Sequence, residues 1–378
     1  MGSGPTIFLS AGEPSGDLHG SALAEALRRR WPHARLLGLA GPRMEAAGVE
    51  AVAPFDRLAL MGFVEVVRHI PFYAGLLRRT VQRIIDEQVD LVIPIDYPGY
   101  NLRLARRAAA RGIPVLYYIA PQVWAWHRSR AATLAKSTDR LAVILPFEER
   151  LFRGYGASAR FVGHPLLDDD GGPRQPREAF CAALGLDPGR RILALFPGSR
   201  LQEVERHLEP FVAAAKRVVE ARWHVQPVIA RSPDVPESAY RAASYPVAEE
   251  SRTLLAHAHV ALVKSGTTTL EAALAEVPMV IAYRTHPATY WLARRLVKVD
   301  HVGLANLVAG SRVAPELLQD EVTPATLAGQ LLPLVDEGPT RDAALRGLRS
   351  VRDALHVDEP GTTAERVASL AGEILEGR

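Results

Sequence analysis

The sequence predicts an α/β protein of two doubly wound domains, each a parallel sheet covered by helices on both faces. Three observations lead there. Short, uninterrupted apolar runs alternate with amphipathic stretches through the first half of the chain, as expected of strands buried on both sides between crossover helices. The same alternation resumes after a polar, turn-rich break, Asp168-Asp169-Asp170-Gly171-Gly172-Pro173. The length, 378 residues, is beyond the size at which one core usually divides. The expected boundaries are 1–170, 171–340 and a helical tail, 341–378, that packs back across the domains.

In chain order, Thr6–Leu9, Leu36–Ala40, Leu91–Ile95, Val115–Ile119 and Leu141–Leu145 predict the strands of the first domain. Helices over Ser21–Arg30, Tyr73–Glu87 and Leu102–Arg111 fall between them. Beyond the break, Ile192–Phe196 and Val225–Ala230 predict strands flanking a helix over Leu208–Ala221. Val260–Val263 predicts another strand, which turns through Lys264-Ser265-Gly266-Thr267-Thr268 into a helix over Leu270–Ala275 and returns as strand Met279–Tyr283. The tail reads as two helices joined by His356–Gly361. Sheets of this kind bind ligands outside the carboxyl ends of their strands, and two of them facing each other would enclose a cleft.

Composition excludes several classes. Hydrophobic residues at 48% and charged residues at 23% are ordinary for a globular chain, which argues against disorder. A net charge of +3 is too mild to argue for nucleic acid. A single cysteine, Cys181, rules out an internal disulfide framework and fits a reducing compartment. The N-terminus leads from a strand-sized run into a Gly-rich loop, unlike a signal peptide, and no apolar run approaches the roughly 18 residues of a spanning helix. These features predict a protein that is soluble or peripheral to a membrane.

Five stretches carry unusual chemistry. In the turn at Ser265–Thr268, a strand passes through small residues into a helix and offers backbone N–H groups and the positive end of a dipole, suited to phosphate. Glu271, one turn in, is placed to accept hydrogen bonds from a ribose. The alternative is a Thr cap with a solvated Glu. In SAGEPSGDLHG, Ser10–Gly20, glycines allow close backbone approach, and Glu13, Ser15, Asp17 and His19 surround the turn. Ser15 or Asp17 acting only as a helix cap remains the other reading. In IDYPGYN, Asp96 follows an apolar strand directly, and Asn101 is placed to cap a helix starting at Leu102. Asp96 is either a general base beside a substrate hydroxyl or a turn-stabilising acid. In YYIAPQVWAWHRSR, Trp124 and Trp126 lie among cations, either stacking on a sugar or anchoring the core. In FPGSRLQEVERH, Ser199 opens a turn and Arg200 offers a planar fork for phosphate oxygens, whereas Glu203, Glu205 and Arg206 read as a solvated helix start.

Together these stretches resemble the bacterial lipid-A-disaccharide synthase family, inverting glycosyltransferases of the GT-B fold with two Rossmann-like domains. The likeness runs nearly end to end: SAGEPSGDLHG, GPRM (Gly41–Met44), MGFVEV (Met61–Val66), IDYPGYN, YYIAPQVWAW, ILPFE, FVGHPL, FPGSR, KSGTTTLEAAL, NLVAG, APELLQ and GTTAERVA. The chain departs from the family pattern at Gly99, where an acid is usual, at Ala40 and Ala305, where Gly and Pro are usual, and at Thr268, which replaces a common Ala.

The resemblance implies an N-terminal acceptor-binding domain and a C-terminal UDP-sugar-binding domain. It implies transfer from UDP-2,3-diacylglucosamine to 2,3-diacylglucosamine 1-phosphate, giving a β(1→6) disaccharide and UDP. Asp96 is then the catalytic base. Ser199, Arg200, Ser265, Gly266, Thr267, Thr268, Glu271 and Asn306 bind the nucleotide donor, and Glu13, Ser15, Gly16 and Asp17 bind the acceptor. No metal or other cofactor is expected, because the positive charge comes from Arg and helix ends and no Asp-x-Asp motif lies near the nucleotide loops. Asp168–Asp170 reads as solvated linker charge. Acylated substrates need an apolar surface, and 61–85 joins apolar residues to Arg68, Arg78, Arg79 and Arg83; its helix packs inward while Phe63, Val66, Val67, Phe72 and Leu76 line an acyl groove. The same stretch fits peripheral attachment at the cytoplasmic face of an inner membrane, and the helical tail offers a surface for a homodimer. The alternatives are a sugar-nucleotide epimerase of the same fold, a related transferase with another acceptor, and a non-enzymatic lipid- or nucleotide-binding protein.

Overall fold

The computed structural model describes residues 4–53, 70–122, 128–168, 172–241, 243–286, 290 and 300–377. They divide into two units, Met1–Asp168 with Val357–Arg378, and Asp169–His356.

In the first unit, β1 (Thr6–Ser10) pairs in parallel with β2 (Arg35–Leu39) on one side and β4 (Leu91–Pro94) on the other, and β3 (Glu50–Ala51) lies beyond β2. β5 (Leu116–Tyr118), β6 (Arg140–Val143) and β7 (Ala159–Phe161) form a second parallel run. Single bridges, Val92 to Val115 and Ile95 to Tyr118, join it to β4. The chain therefore reverses its direction of winding between β1 and β4, and such a switch point opens a crevice at the carboxyl ends of the strands. One face of the sheet buries Ile7 and Leu9 against Leu23 and Leu27 of α1 (Pro14–Arg30). The other buries Phe8 and Val92 against Leu76 of α3 (Ile70–Asp86) and Leu104 of α4 (Pro98–Ala109). Between α1 and α3 in sequence lies the one-turn α2 (Pro42–Ala46); α5 (Arg128–Ser137) and α6 (Pro146–Arg153) follow α4.

The second unit repeats the plan. Following α7 (Arg177–Leu184), β8 (Arg191–Phe196) lies between β9 (Val225–Ala230) and β11 (Ala258–Lys264). β10 (Val247–Ala248) edges one side; β12 (Met279–Tyr283) and β13 (Glu316–Leu318) complete the other, all parallel. Here the switch point lies between β8 and β11. Its helices include α8 (Leu201–Ala221), α9 (Ser251–His257), α10 (Thr268–Leu274), α11 (Leu304–Ala309) and α12 (Pro324–Val335).

Helices begin earlier than expected, most plainly α1, α4 and α8. α1 starts at Pro14 and α4 at Pro98, because proline at the first helical position forfeits only an N–H that has no intrahelical acceptor. Ser15, Gly16 and Asp17 are therefore helical rather than loop residues, and Asn101 lies inside α4 instead of capping it. α8 starts at Leu201, so Glu203 is in its first turn. The expected tail is divided: α13 (Pro339–Leu355) packs on α10 and α11, while α14 (Thr363–Glu376) packs on α1. Asp168 is exposed, as expected of linker charge, and it also anchors α14: both its carboxylate oxygens accept the Thr363 N–H at 3.0 Å.

Candidate active site

At the first switch point the chain leaves β4 through Ile95 and enters α4 through two successive left-handed residues, Asp96 (φ 46°) and Tyr97 (φ 48°). Non-glycine residues in that region cost about 1–3 kcal/mol each and persist only where their surroundings over-determine them. Here the constraint is visible. Asn101, fully buried, donates from Nδ2 to the carbonyls of Ser10 (3.0 Å), Ile95 (3.1 Å) and Asp96 (2.9 Å), and its Oδ1 accepts the Ser10 hydroxyl at 2.7 Å. The Tyr117 hydroxyl donates to the Asp96 carbonyl at 2.8 Å, and the Asp96 N–H donates to Tyr118 O at 3.0 Å. These bonds fix the backbone of Asp96 without consuming its carboxylate. Burial, then the negative charge of Glu13, push that carboxyl up to about 6, against the pull of the Tyr97 N–H. A carboxylate so tuned is ionised at neutral pH yet basic enough to take a proton.

The surroundings complete this cluster. The Tyr97 ring lies over Gly12, where a Cβ would run into it, and its hydroxyl meets that of Tyr73 at 3.0 Å. Glu13 and Ser15 are exposed at the start of α1. Gly16 is buried beside Ala11. Asp17 is not available to an acceptor: it is 3% exposed, and its carboxylate accepts the Arg43 and Met44 N–H groups at 3.0 Å, capping α2. His19 and the nearby His164 are both pushed down to about 4 by burial, which keeps them neutral.

Of the residues expected to line an acyl groove, α3 turns Leu76 inward and leaves Phe72 half-buried. Leu76 is 4% exposed within the core and Phe72 packs against the same cluster, because the apolar stripe of an amphipathic helix turns to the sheet. Phe63, Val66 and Val67 lie outside the described residues, as do Trp124 and Trp126.

At the second switch point the loops after β8 and β11 are neighbours, since Phe196 pairs with Val263. Arg200 is exposed at the N-cap of α8, beside exposed Ser199. Thr267 is exposed at the start of α10, while Gly266 and Thr268 are half-buried; first-turn N–H groups have no intrahelical acceptor. Glu271 is half-buried, and burial raises its carboxyl above the ordinary value against the pull of Arg252. Ser265 and Asn306, both expected at the donor, make internal hydrogen bonds. The Ser265 hydroxyl donates to Val302 O at 2.9 Å. Asn306 is fully buried: its Nδ2 donates to Ala314 O (2.9 Å) and Glu316 Oε1 (2.7 Å), and its Oδ1 accepts the Val313 and Ala314 N–H groups. Glu316 in turn accepts the Val302 and Gly303 N–H groups at 2.9 Å. Asn306 and Glu316 thus brace the loop that meets Ser265.

Sequence reasoning missed Glu316 and Glu203. The latter is not a solvated helix start but holds Lys264 Nζ at 2.7 Å. The available signal was the spacing of Glu203 and His207 on one helix face, four apart behind a glycine turn.

Both clusters occupy the carboxyl ends at switch points, the arrangement of two-domain GT-B glycosyltransferases and the sugar-nucleotide epimerases that share their fold. Solved structures agree. The calicheamicin glycosyltransferase matches with a TM-score of 0.59 and 19% identity over 100% of this chain and 99% of that one. UDP-GlcNAc 2-epimerase from Neisseria meningitidis, bound to UDP-GlcNAc, matches with a TM-score of 0.61 and 9% identity over 99% of each chain. At such identities the likeness shows the fold alone.

The family follows from sequence. The model of the lipid-A-disaccharide synthetase family matches residues 7–362. The lipid-A-disaccharide synthase of Acidobacterium capsulatum is 41% identical over 100% of this chain and 98% of its own. That of Geobacter sulfurreducens is 38% identical over 98% and 97% respectively. The chain belongs to the lipid-A-disaccharide synthase family, UDP-sugar-dependent glycosyltransferases.

Proposed function

We propose that the protein transfers 2,3-diacylglucosamine from its UDP-activated form to 2,3-diacylglucosamine 1-phosphate, with inversion, forming the β(1→6) disaccharide of the lipid A precursor and UDP. The observation that carries the mechanism is the over-determined backbone of Asp96 with its carboxylate tuned to about 6. Asp96 takes the proton of the acceptor hydroxyl as that oxygen bonds to the anomeric carbon. The bond from the anomeric carbon to the diphosphate breaks, and its electron pair leaves with UDP. General-base assistance of this kind contributes about 10²–10⁴-fold. Arg200 and the N–H groups of Gly266–Thr268 meet the negative charge growing on the diphosphate, a preorganised electrostatic effect. Glu271 accepts from the ribose, and Asn306 acts through the loop it braces. Glu13, Ser15 and Gly16 line the acceptor side, with Asp17 holding α2 in place. On this reading the reaction needs no metal, because Arg200 and the backbone supply the positive charge.

Attachment to an anionic membrane surface at the cytoplasmic side is supported by the outer face of the first unit. α4 packs against both α3 and α5, and neither α4 nor α5 contains an acidic residue. Arg78, Arg79, Arg103, Arg106, Arg107 and Lys136 are exposed there. No helix among the described residues is long and apolar enough to cross a membrane.

The test is UDP release by the purified protein given UDP-2,3-diacylglucosamine, with and without the 1-phosphate acceptor, beside Asp96→Asn. Acceptor-dependent UDP and disaccharide, lost in the variant, is the expected result. UDP released equally without acceptor would instead indicate hydrolysis or the elimination chemistry of an epimerase.

A further inference from the structure

Glu203 takes no part in the steps above, yet it lies between the two loops assigned to the donor. Its Oε1 accepts Lys264 Nζ, at the end of β11, at 2.7 Å; its Oε2 accepts the Ser199 N–H, in the loop after β8, at 3.0 Å. Both side chains are mostly buried, 16% exposed for Lys264 and 20% for Glu203. Gly198 passes over the Glu203 side chain at φ 138°, where a Cβ would collide with it, so the glycine turn and the glutamate are packed as a pair. One turn later, His207 extends the same face. Its Nε2 accepts the Arg284 N–H, just past β12, at 3.0 Å, which leaves Nδ1–H to donate to Glu203 O at 2.8 Å. Two turns of α8 therefore pin the carboxyl ends of three strands.

We propose that Glu203 is a positioning residue for the donor diphosphate: by bonding Ser199 and Lys264 together it fixes the spacing between Arg200 and the N–H groups of Gly266–Thr268. The inference rests on the donor-site reading above. Arg200 and the β11 turn come from different strands and must meet one diphosphate, and small errors in such a spacing lose much of its electrostatic benefit. The pair also neutralises Lys264. Burial opposes ionisation of Glu203, but Lys264, the Ser199 N–H and Arg200 outweigh it and hold the carboxyl below its ordinary value. Glu203 thus remains ionised through the neutral range.

The experiment compares UDP with uridine, which shares the base and ribose but lacks the diphosphate, as competitive inhibitors of wild type, Glu203→Gln, Lys264→Met and Lys264→Arg. UDP binding is also measured directly by calorimetry. Glu203→Gln and Lys264→Met are expected to weaken UDP at least tenfold and leave uridine within twofold, with Lys264→Arg restoring most of the affinity for UDP. Equal loss of UDP and uridine would reduce Glu203 to a general structural role and overturn the inference, as would unchanged UDP affinity in either variant. Should Glu203→Gln not fold, Lys264→Met carries the same test. Failure of the wild type to bind UDP would overturn the donor-site reading and this inference with it.

Discussion

On the proposed mechanism, Asp96 serves catalysis at the expense of stability. Its carboxyl moves from 3.8 to about 6 on folding, so the folded state holds the proton more tightly than the unfolded one. Below pH 4 both states are protonated and the shift costs nothing. Between 4 and 6 the unfolded state ionises first and stability falls; above 6 the full cost is present. At 1.36 kcal/mol per unit this is at most about 3 kcal/mol, less where solvent reaches the carboxylate. Asp96→Asn is therefore expected to raise the melting temperature by a few degrees at pH 8 while abolishing transfer, with the gain vanishing below pH 4. Activity shows the complementary dependence: the base must be ionised, so kcat/KM should fall as pH drops through about 6. Glu13→Gln removes a charge that raises Asp96 and should move this acid limb to lower pH; a limb that does not move would mean that Glu13 does not act on Asp96. At this scale the sequence showed where polar groups lie better than what they bond. Asp96 and Arg200 were legible from their places after strands. The internal bonds of Asp17, Ser265 and Asn306 were not legible because residue type does not reveal whether a polar group is already satisfied, and their partners, Met44, Val302 and Glu316, are distant in sequence or follow an unpredicted turn.

Among the elements, strands were the most legible, because continuous apolar runs have few other uses, whereas helix starts were read late wherever proline occupies the first turn. α3 shows a subtler error. Its apolar residues were shared between core and groove, but Leu76 lies wholly in the core with Leu77 and Leu104. Leu76→Ala should accordingly destabilise by about 2–5 kcal/mol. It should also leave the relative use of long- and short-chain donors unchanged, a comparison that a groove residue would fail. The charged side of the same layer makes a separate prediction. Near an anionic surface each Arg is worth about 1 kcal/mol, so replacing Arg103, Arg106 and Arg107 of α4 together by Ala should weaken vesicle binding about 100-fold. Co-sedimentation with phosphatidylglycerol vesicles at low and high salt measures this. Equal binding by variant and wild type would move the membrane contact to another face.

The whole molecule is two units of the same construction, and that plan was readable from the repeated alternation of strands and helices and from the turn-rich break at 168–173. The tail was expected to pack back across the domains; which of its helices packs on which unit was not legible, because α13 and α14 are both amphipathic and amphipathicity does not name a partner. The partner is set by complementary surfaces remote in sequence: Val367, Leu370 and Ile374 of α14 close the core over Leu23 and Leu27 of α1, and Arg366 donates to Val162 O at 2.7 Å. The last helix thus completes the unit that holds Asp96, while donor binding is assigned to the other. If so, the two can be perturbed separately. Leu370→Ala should destabilise the first unit by about 2–5 kcal/mol and lower one calorimetric transition. UDP at 100 times its Kd should raise the other by about 2.7 kcal/mol, in the variant as in the wild type. A single transition that responds to both changes would show that the units unfold together. A UDP-dependent rise confined to the transition that Leu370→Ala lowers would place nucleotide binding in the first unit and overturn the assignment of acceptor and donor to their domains.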